Sequence, residues 1–315
     1  MYNELIMESD FPPVIAIVGQ TAVGKSALAL SLSELFQGEI VTADSRQVYK
    51  YMDIGTDKPS AEERRRVPHH LIDLIEPDAP FTVADYQDLA YSAIKEITGR
   101  GCIPVVAGGS PLYTNAVLDG WTIPHVGPND ELRRELEAEA ATHGPSILHE
   151  RLRQVDPKSA DSILPSNTRR LVRALEVVLR TGQPISEQQN RLAPPLRILR
   201  IGLRCERSIL YRRIDARVAL QIERGLVDEV KSLHERGYGF DLRSMSGIGY
   251  RQIGDYLQGK STLPEAIQRI KWDTHNFARH QANWFKREVS TIWLDVTDAD
   301  PLPRATELVA VHLGG

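Results

Sequence analysis

Six short apolar runs punctuate the chain: VIAIV (14–18), EIVTA (39–43), HLIDLI (70–75), IPVVAG (103–108), ILRIGL (198–203) and TIWLDV (291–296). Continuous apolarity over this length reads as strands buried on both faces. Helical patterns separate them, notably from Lys25 to Phe36 and from Val83 to Thr98. Strands alternating with helices predict a parallel sheet covered on both sides. From about Trp121 to Pro195 that rhythm stops. Charged helical segments closed by glycines and prolines (DELRRELEAEAATHG, NTRRLVRALEVVLRTG) take over, with no convincing strand. The predicted organisation is therefore an α/β core begun by residues 1–120, a mostly helical insertion over 121–196, and a completion of the core with C-terminal helices over 197–315. The last long helix starts near Thr262, where Thr262 and Glu265 have capping-box spacing and Pro264 falls in the first turn.

Composition narrows the class without naming it. A chain of 315 residues with 42% hydrophobic and 25% charged positions is an ordinary globular composition, long enough to bury a real core. No apolar run approaches the roughly 20 residues that span a bilayer, and MYNELIMESD is too acidic for a signal peptide. Cys102 and Cys205 stand far apart outside any metal or redox spacing, which excludes a zinc finger or disulfide framework and suits a reducing cytoplasm. Nothing demands more than a monomer. With a formal charge of −4, nucleic-acid binding would need a local basic surface.

One such bias exists. Between Leu164 and Arg213 eleven arginines face three glutamates, a local net of +8. On Asn167 to Arg180 a 100° step puts Arg169, Arg173 and Arg180 on one face, opposite Leu171, Leu175, Val178 and Leu179, with Glu176 interrupting the stripe.

The strongest local signal is GQTAVGKS: Gly19, Gln20, Thr21, Ala22, Val23, Gly24, Lys25 and Ser26. It satisfies G-x-x-x-x-G-K-[ST], follows an apolar strand and opens a helix, the context that makes this spacing a phosphate-binding P-loop. The glycines let backbone amides and the helix N-terminus converge on phosphate oxygens, Lys25 adds charge, and the Ser26 hydroxyl reaches a Mg²⁺ ion. The bland alternative is a glycine turn with a capping serine. The expected fold class is thus a P-loop NTPase-like α/β core with a mostly helical insertion. The loop alone does not choose among ATPases, GTPases, small-molecule kinases and transferases.

A second segment, ADSRQVYKYMDIGTDKP (43–59), follows the second strand and puts Asp44 at the sheet edge where such folds bind ligands. Its carboxylate suits a proton acceptor, a Mg²⁺ ligand or a helix cap, while Ser45 and Gln47 suit reading the edge of a base.

Taken together, GQTAVGKS, ADSRQVY, IGTDKP, VAGGSPLY (106–113), NTRRLVRALE (167–176) and GIGYRQ (247–252) resemble the tRNA dimethylallyltransferases, in that family's order and spacing, from about Val14 to Lys286. The resemblance implies transfer of a dimethylallyl group from dimethylallyl diphosphate to the exocyclic amine of the adenosine 3′ of the anticodon, with Mg²⁺. It implies that Thr21, Gly24, Lys25 and Ser26 hold the diphosphate leaving group and that Asp44 is the general base. Ser45, Arg46 and Gln47 would hold that base or nearby backbone. Arg217, in RRIDARV, is the candidate clamp over the diphosphate; as a bare residue it reads equally as a solvated helix arginine. For tRNA, the resemblance implies Asp44, Ser45, Arg46, Gln47, Ser110, the segment Arg169, Arg170, Leu171, Val172 and Arg173, and Gly249, Tyr250 and Arg251. The terminal helix, with Trp272, Arg279, Trp284 and Arg287, is a weaker candidate whose tryptophans read as core packing.

The chain departs from the family pattern at several positions. Gln20 stands for the usual proline, Ser110 for threonine, and His275, Asn276 and His280 for Arg, Gln and Arg. The histidines would make RNA contact pH-dependent. Three other readings compete: a dimethylallyltransferase acting on free adenine nucleotides, an ATP-binding P-loop small-molecule kinase or ATPase, and a non-enzymatic RNA-binding protein, which would not need Lys25 and Asp44 together.

Overall fold

The computed structural model describes residues 11–188, 190–286 and 290–314; the acidic opening segment and Arg287 lie outside them. The first stretch of chain runs β1 (Pro13–Gly19), α1 (Lys25–Leu35), β2 (Gly38–Thr42), α2 (Ala61–Arg66), β3 (His69–His70), α3 (Val83–Gly99), β4 (Ile103–Gly108) and α4 (Pro111–Leu118). Five helices follow: α5 (Asp130–His143), α6 (Ser146–Val155), α7 (Pro157–Ser162), α8 (Thr168–Thr181) and α9 (Ile185–Gln188). The remainder is β5 (Arg197–Arg204), α10 (Arg207–Glu223), α11 (Leu226–Glu235), α12 (Tyr250–Leu257), α13 (Leu263–Phe285), β6 (Ile292–Asp295) and α14 (Leu302–Gly314). Among the described residues no helix is long and apolar enough to cross a membrane.

Among the described residues six strands form one parallel sheet in the order β3-β2-β4-β1-β5-β6. β1 is central because Val14 to Val18 are apolar on both faces and almost wholly shielded from solvent. The edge strand β6 is exposed at both ends. On leaving β1 the chain passes through α1 and pairs β2 beyond β4, so strand order changes beside β1. A crevice opens at the carboxyl ends of strands there.

One predicted strand shrinks. The run 70–75 yields only His69–His70, because Leu71 and Asp73 take left-handed backbone conformations (φ 64° and 54°) that no strand continues through. Asp73 is drawn aside by Lys58 Nζ at 2.6 Å and by an Arg64 guanidinium nitrogen at 2.7 Å. Ile75 returns as an isolated bridge to Tyr49.

The chain divides into two compact units. The first comprises the described residues up to Phe81, Tyr86–Leu118 and those from Pro195 on; the second, Thr82–Asp85 and Asp119–Pro194. The second unit has a core of its own, in which Leu148, Leu152, Leu171 and Val177 are sealed from solvent. Its longest helices begin on side-chain caps, Asn129 for α5 and Asn167 for α8. Helix α13 starts on a capping box formed by Thr262 and Glu265.

Candidate active site

The P-loop folds as its glycines require. Gly19 has φ 143°, and a Cβ there would lie 2.5 Å from the Leu203 carbonyl oxygen of β5. Gly24, at φ 103°, takes the N-cap position of α1 with no side-chain cap, so the first amides of the helix stay available to a ligand. No acidic residue occupies that first turn. Ser26 sits at its start.

Two contacts with α13 fix this loop, and sequence reading missed the residue behind one of them. Gln281 is buried; its Oε1 accepts the Thr21 amide at 2.8 Å while its Nε2 donates to the Gly109 carbonyl after β4. A Cβ on Gly109 would meet that same Nε2 at 2.8 Å. Gln20, in the place of the family's proline, donates from Nε2 to the Ala278 carbonyl at 2.9 Å. A side-chain hydrogen bond thus restrains the loop where a ring would otherwise have done so.

Asp44 follows β2 at the sheet edge. Its Oδ1 accepts the amides of Arg46 (2.8 Å) and Gln47 (3.4 Å), which orients the carboxylate by the same contacts a cap would use. Its Oδ2 has no hydrogen-bond partner among the described residues. The Ser45 amide donates to the Ser110 hydroxyl at 3.1 Å, so Ser110 steadies the segment that carries Asp44.

A cavity of about 530 Å³ opens over these elements, lined by Thr21, Gly24, Lys25, Ser26, Asp44 and Arg217, with Arg213 and Arg224 also on its wall. Lys25 Nζ donates to the Gln20 carbonyl at 2.6 Å. Burial and the neighbouring Arg217 charge push its pKa down to about 7, against the pull of Asp44. Arg217 is lowered from the usual guanidinium value by burial, with Asp57 and Asp44 opposing. Its nearest carboxylate oxygen, on Asp57, is 3.6 Å away; that of Arg224 is 3.9 Å away on the same residue. Cations crowded until their charges become costly mark a place built for an anion.

The Ser26 hydroxyl and Asp44 face this cavity, and among the described residues no cluster of three or more His, Cys, Asp or Glu side chains could grip a metal unaided. That donor set fits a hard cation held mainly by substrate oxygens and water, which is how Mg²⁺ binds.

Several predicted RNA contacts have other occupations. Arg46 donates to the Arg243 and Ser244 carbonyls (2.7 and 3.1 Å) and to the Ser246 hydroxyl, and Gln47 donates to the Thr56 and Asp57 carbonyls. Both hold protein backbone. Tyr250 is buried and donates to Glu229 at 2.6 Å; Arg251 pairs with Asp273 at 2.8 Å. Gly249 caps α12 at φ 95°. In the helical unit, Leu171 and Val172 belong to the core, with their side chains buried. Arg173 donates to Glu176 (2.7 Å) and to the Val126 carbonyl (3.0 Å). Glu176 is not a surface interruption: it is wholly buried, with Arg133 paired to both of its oxygens. Arg169 and Arg170 are exposed, without an ion-pair partner among the described residues. Arg180 bonds the Gly127 carbonyl, and Leu179 is half exposed instead of joining the apolar face. Trp272 and Trp284 are also exposed, by 55% and 41%, not packed in the core. His275 stacks on Tyr211 at 4.0 Å and lies 2.9 Å from Asp215; Asn276 and His280 are exposed.

A parallel sheet with a P-loop at its switch point and an acid beside it defines a P-loop-type α/β protein. The IPP transferase family model matches residues 47–288. A tRNA dimethylallyltransferase of Roseiflexus castenholzii is 52% identical over 297 residues, 94% of this chain and 97% of that protein. One of Halalkalibacterium halodurans is 43% identical over 290 residues, 91% and 92% of the two. Among solved structures, the full-length tRNA isopentenylpyrophosphate transferase of Bacillus halodurans superposes with a TM-score of 0.72 at 41% identity, covering 96% of this chain and 97% of its own. A eukaryotic dimethylallyltransferase described as acting on tRNA gives 0.80 at 27% identity, covering 96% and 80%. The chain belongs to the IPP transferase family.

Proposed function

We propose that the chain transfers the dimethylallyl group of dimethylallyl diphosphate to N6 of the adenosine 3′ of the anticodon in tRNA, releasing diphosphate. The observation that carries this reading is the pairing, in one cavity, of an oriented carboxylate, Asp44, with a cationic wall made by Lys25, Arg217 and Arg224. An anion leaves on one side and a proton leaves on the other. Family membership and the names of the relatives supply the substrate class.

The residues divide the work as follows. Amides of the P-loop and α1, with Thr21, Lys25 and Ser26, take the diphosphate. As the allylic C–O bond breaks, its electron pair passes to the departing oxygen, and donors aimed there stabilise the transition state more than the ground state. Arg217 faces the same developing charge. The adenine N6 lone pair forms the new bond to carbon, and the N6 proton passes to Asp44, which its two backbone N–H contacts hold in place. Mg²⁺, carried by diphosphate oxygens with the Ser26 hydroxyl, would neutralise part of the leaving group's charge. The target base must leave the anticodon-loop stack, at a cost of a few kcal/mol, least for an unpaired base. Exposed Arg169 and Arg170 are the remaining candidates in the helical unit for phosphate contact. The reaction is assigned to a monomer in the cytoplasm, where the acceptor tRNA resides.

Acceptor competition tests the assignment. With Mg²⁺ and labelled dimethylallyl diphosphate, label should enter unmodified tRNA and not AMP. Label in AMP alone would transfer the assignment to the free-nucleotide enzymes, and ATP hydrolysis without prenyl transfer would support a kinase.

A further inference from the structure

The loop from Asp53 to Asp57, which leads into the IGTDKP motif (54–59), is gripped through its backbone from two helices. On α11, the Glu229 carboxylate accepts three consecutive amides: Asp53 at 2.9 Å, Ile54 at 2.7 Å and Gly55 at 3.1 Å. Three successive N–H groups converging on one carboxylate form an anion nest filled by the protein's own side chain. The same carboxylate accepts the Tyr250 hydroxyl. From α10, buried Gln221 donates to the Ile54 carbonyl at 3.1 Å. The ring of Tyr250 lies so close to Gly55 that a Cβ there would sit 2.5 Å from Cε2.

What this loop presents is Asp57. Held in a left-handed conformation (φ 57°), Asp57 offers its carboxylate to Arg217 and Arg224, both on the cavity wall. Its carbonyl, with that of Thr56, receives the side chain of Gln47, whose own amide donates to Asp44. These contacts tie IGTDKP to the Asp44 turn on one side and, through Glu229, to GIGYRQ on the other.

We propose that Glu229 is a positioning residue for diphosphate: by gathering the amides of 53–55 it sets Asp57, and through Asp57 the aim of Arg217 and Arg224 into the cavity. Tyr250, predicted to touch RNA, serves the same device by holding Glu229. The proposal rests on reading the cavity as the diphosphate site. Glu229→Gln is a sharp probe, because it puts an N–H donor among three N–H donors while keeping size. Tyr250→Phe removes one bond to the carboxylate and keeps the ring.

The test titrates inorganic diphosphate into the native chain and both variants by calorimetry, with tRNA affinity and melting temperature measured alongside. Misdirecting a charged contact should weaken diphosphate binding about tenfold in Glu229→Gln, and less in Tyr250→Phe, with tRNA affinity unchanged. In turnover, KM for the prenyl donor should rise more than kcat falls. Unchanged diphosphate affinity in both variants would overturn the proposal. So would a parallel loss of diphosphate and tRNA binding, the mark of general destabilisation. If Glu229→Gln fails to fold, Tyr250→Phe decides alone. Absence of diphosphate binding by the native chain would overturn the reading of the cavity, and this proposal with it.

Discussion

In the α/β unit, Lys25, Arg217 and Arg224 surround a cavity with few carboxylates to answer them; in the helical unit, Arg133 and Arg173 close on buried Glu176 at 2.7 Å each. Two of the first group are under electrostatic stress: Lys25 is pushed down to about 7 and Arg217 is lowered, both chiefly by burial. The second is satisfied. Burial alone would raise the Glu176 carboxyl, yet hydrogen bonds from Arg133, the Asn129 amide and Arg173 hold it below the usual carboxylate range. Clusters of positive charge that look equivalent along the chain thus differ in purpose. Cations left short of partners await an anionic ligand, and cations with a buried partner hold a fold together.

Breaking the first region should be the more costly for chemistry. Asp44→Ala is expected to lower the single-turnover rate by roughly 10²–10⁴-fold while tRNA binding persists; a rate within a few-fold of native would remove Asp44 as the proton acceptor. In the second region, Glu176→Ala leaves two arginines without their shared partner. It should cost about 3 kcal/mol in denaturant unfolding, the lower end for a broken buried pair because both arginines keep some solvent contact. The pH dependence has a definite sign. Glu176 has a depressed pKa in the fold, so its contribution is present above the unfolded value and is lost as pH falls through the folded one. An acid-unfolding curve unaltered by Glu176→Ala would contradict this.

Lys25 offers a pH test of the cavity itself. Burial and the Arg217 charge push Lys25 down to about 7 in the free chain, while bound diphosphate favours the charged form. Diphosphate affinity should therefore fall more with rising pH above 7 in the native chain than in Lys25→Arg, whose charge persists. Matching profiles would show that Lys25 stays protonated throughout. The smallest effect separates the surface arginines from the buried set. Replacing Arg169 and Arg170 together by alanine should weaken tRNA binding and flatten its salt dependence by about one to two units of log–log slope. Arg173→Ala should change melting more than the slope.

Much of this is legible in the sequence. The P-loop, the Asp44 turn, the six strand positions and the Thr262 cap follow from local spacing, and each formed where the pattern placed it, with the strand at 70–75 cut short. What local pattern could not carry was pairing at long range. Glu229 lies in LVDEVKSLHE, an ordinary amphipathic helix, yet its partner Ile54 is 175 residues earlier. Gln281 likewise meets the P-loop across 260 positions. The place of Leu171 and Val172 in a motif points to RNA, but helical geometry turns their side chains inward, while Glu176 reads as a surface residue until Arg133 is brought beside it. Exposed Trp272 and Trp284 show the converse, since large aromatics do not by themselves dictate burial.

The proposed chemistry turns on the P-loop keeping a diphosphate while carbon goes to RNA. Dimethylallyl diphosphate labelled in both its carbon chain and its phosphorus tests this directly, incubated with the native chain, Mg²⁺ and unmodified tRNA. Carbon label should then appear in tRNA and phosphorus label in free diphosphate, in equal amounts. Phosphorus label in the RNA, or diphosphate released without carbon transfer, would show that the loop does something else.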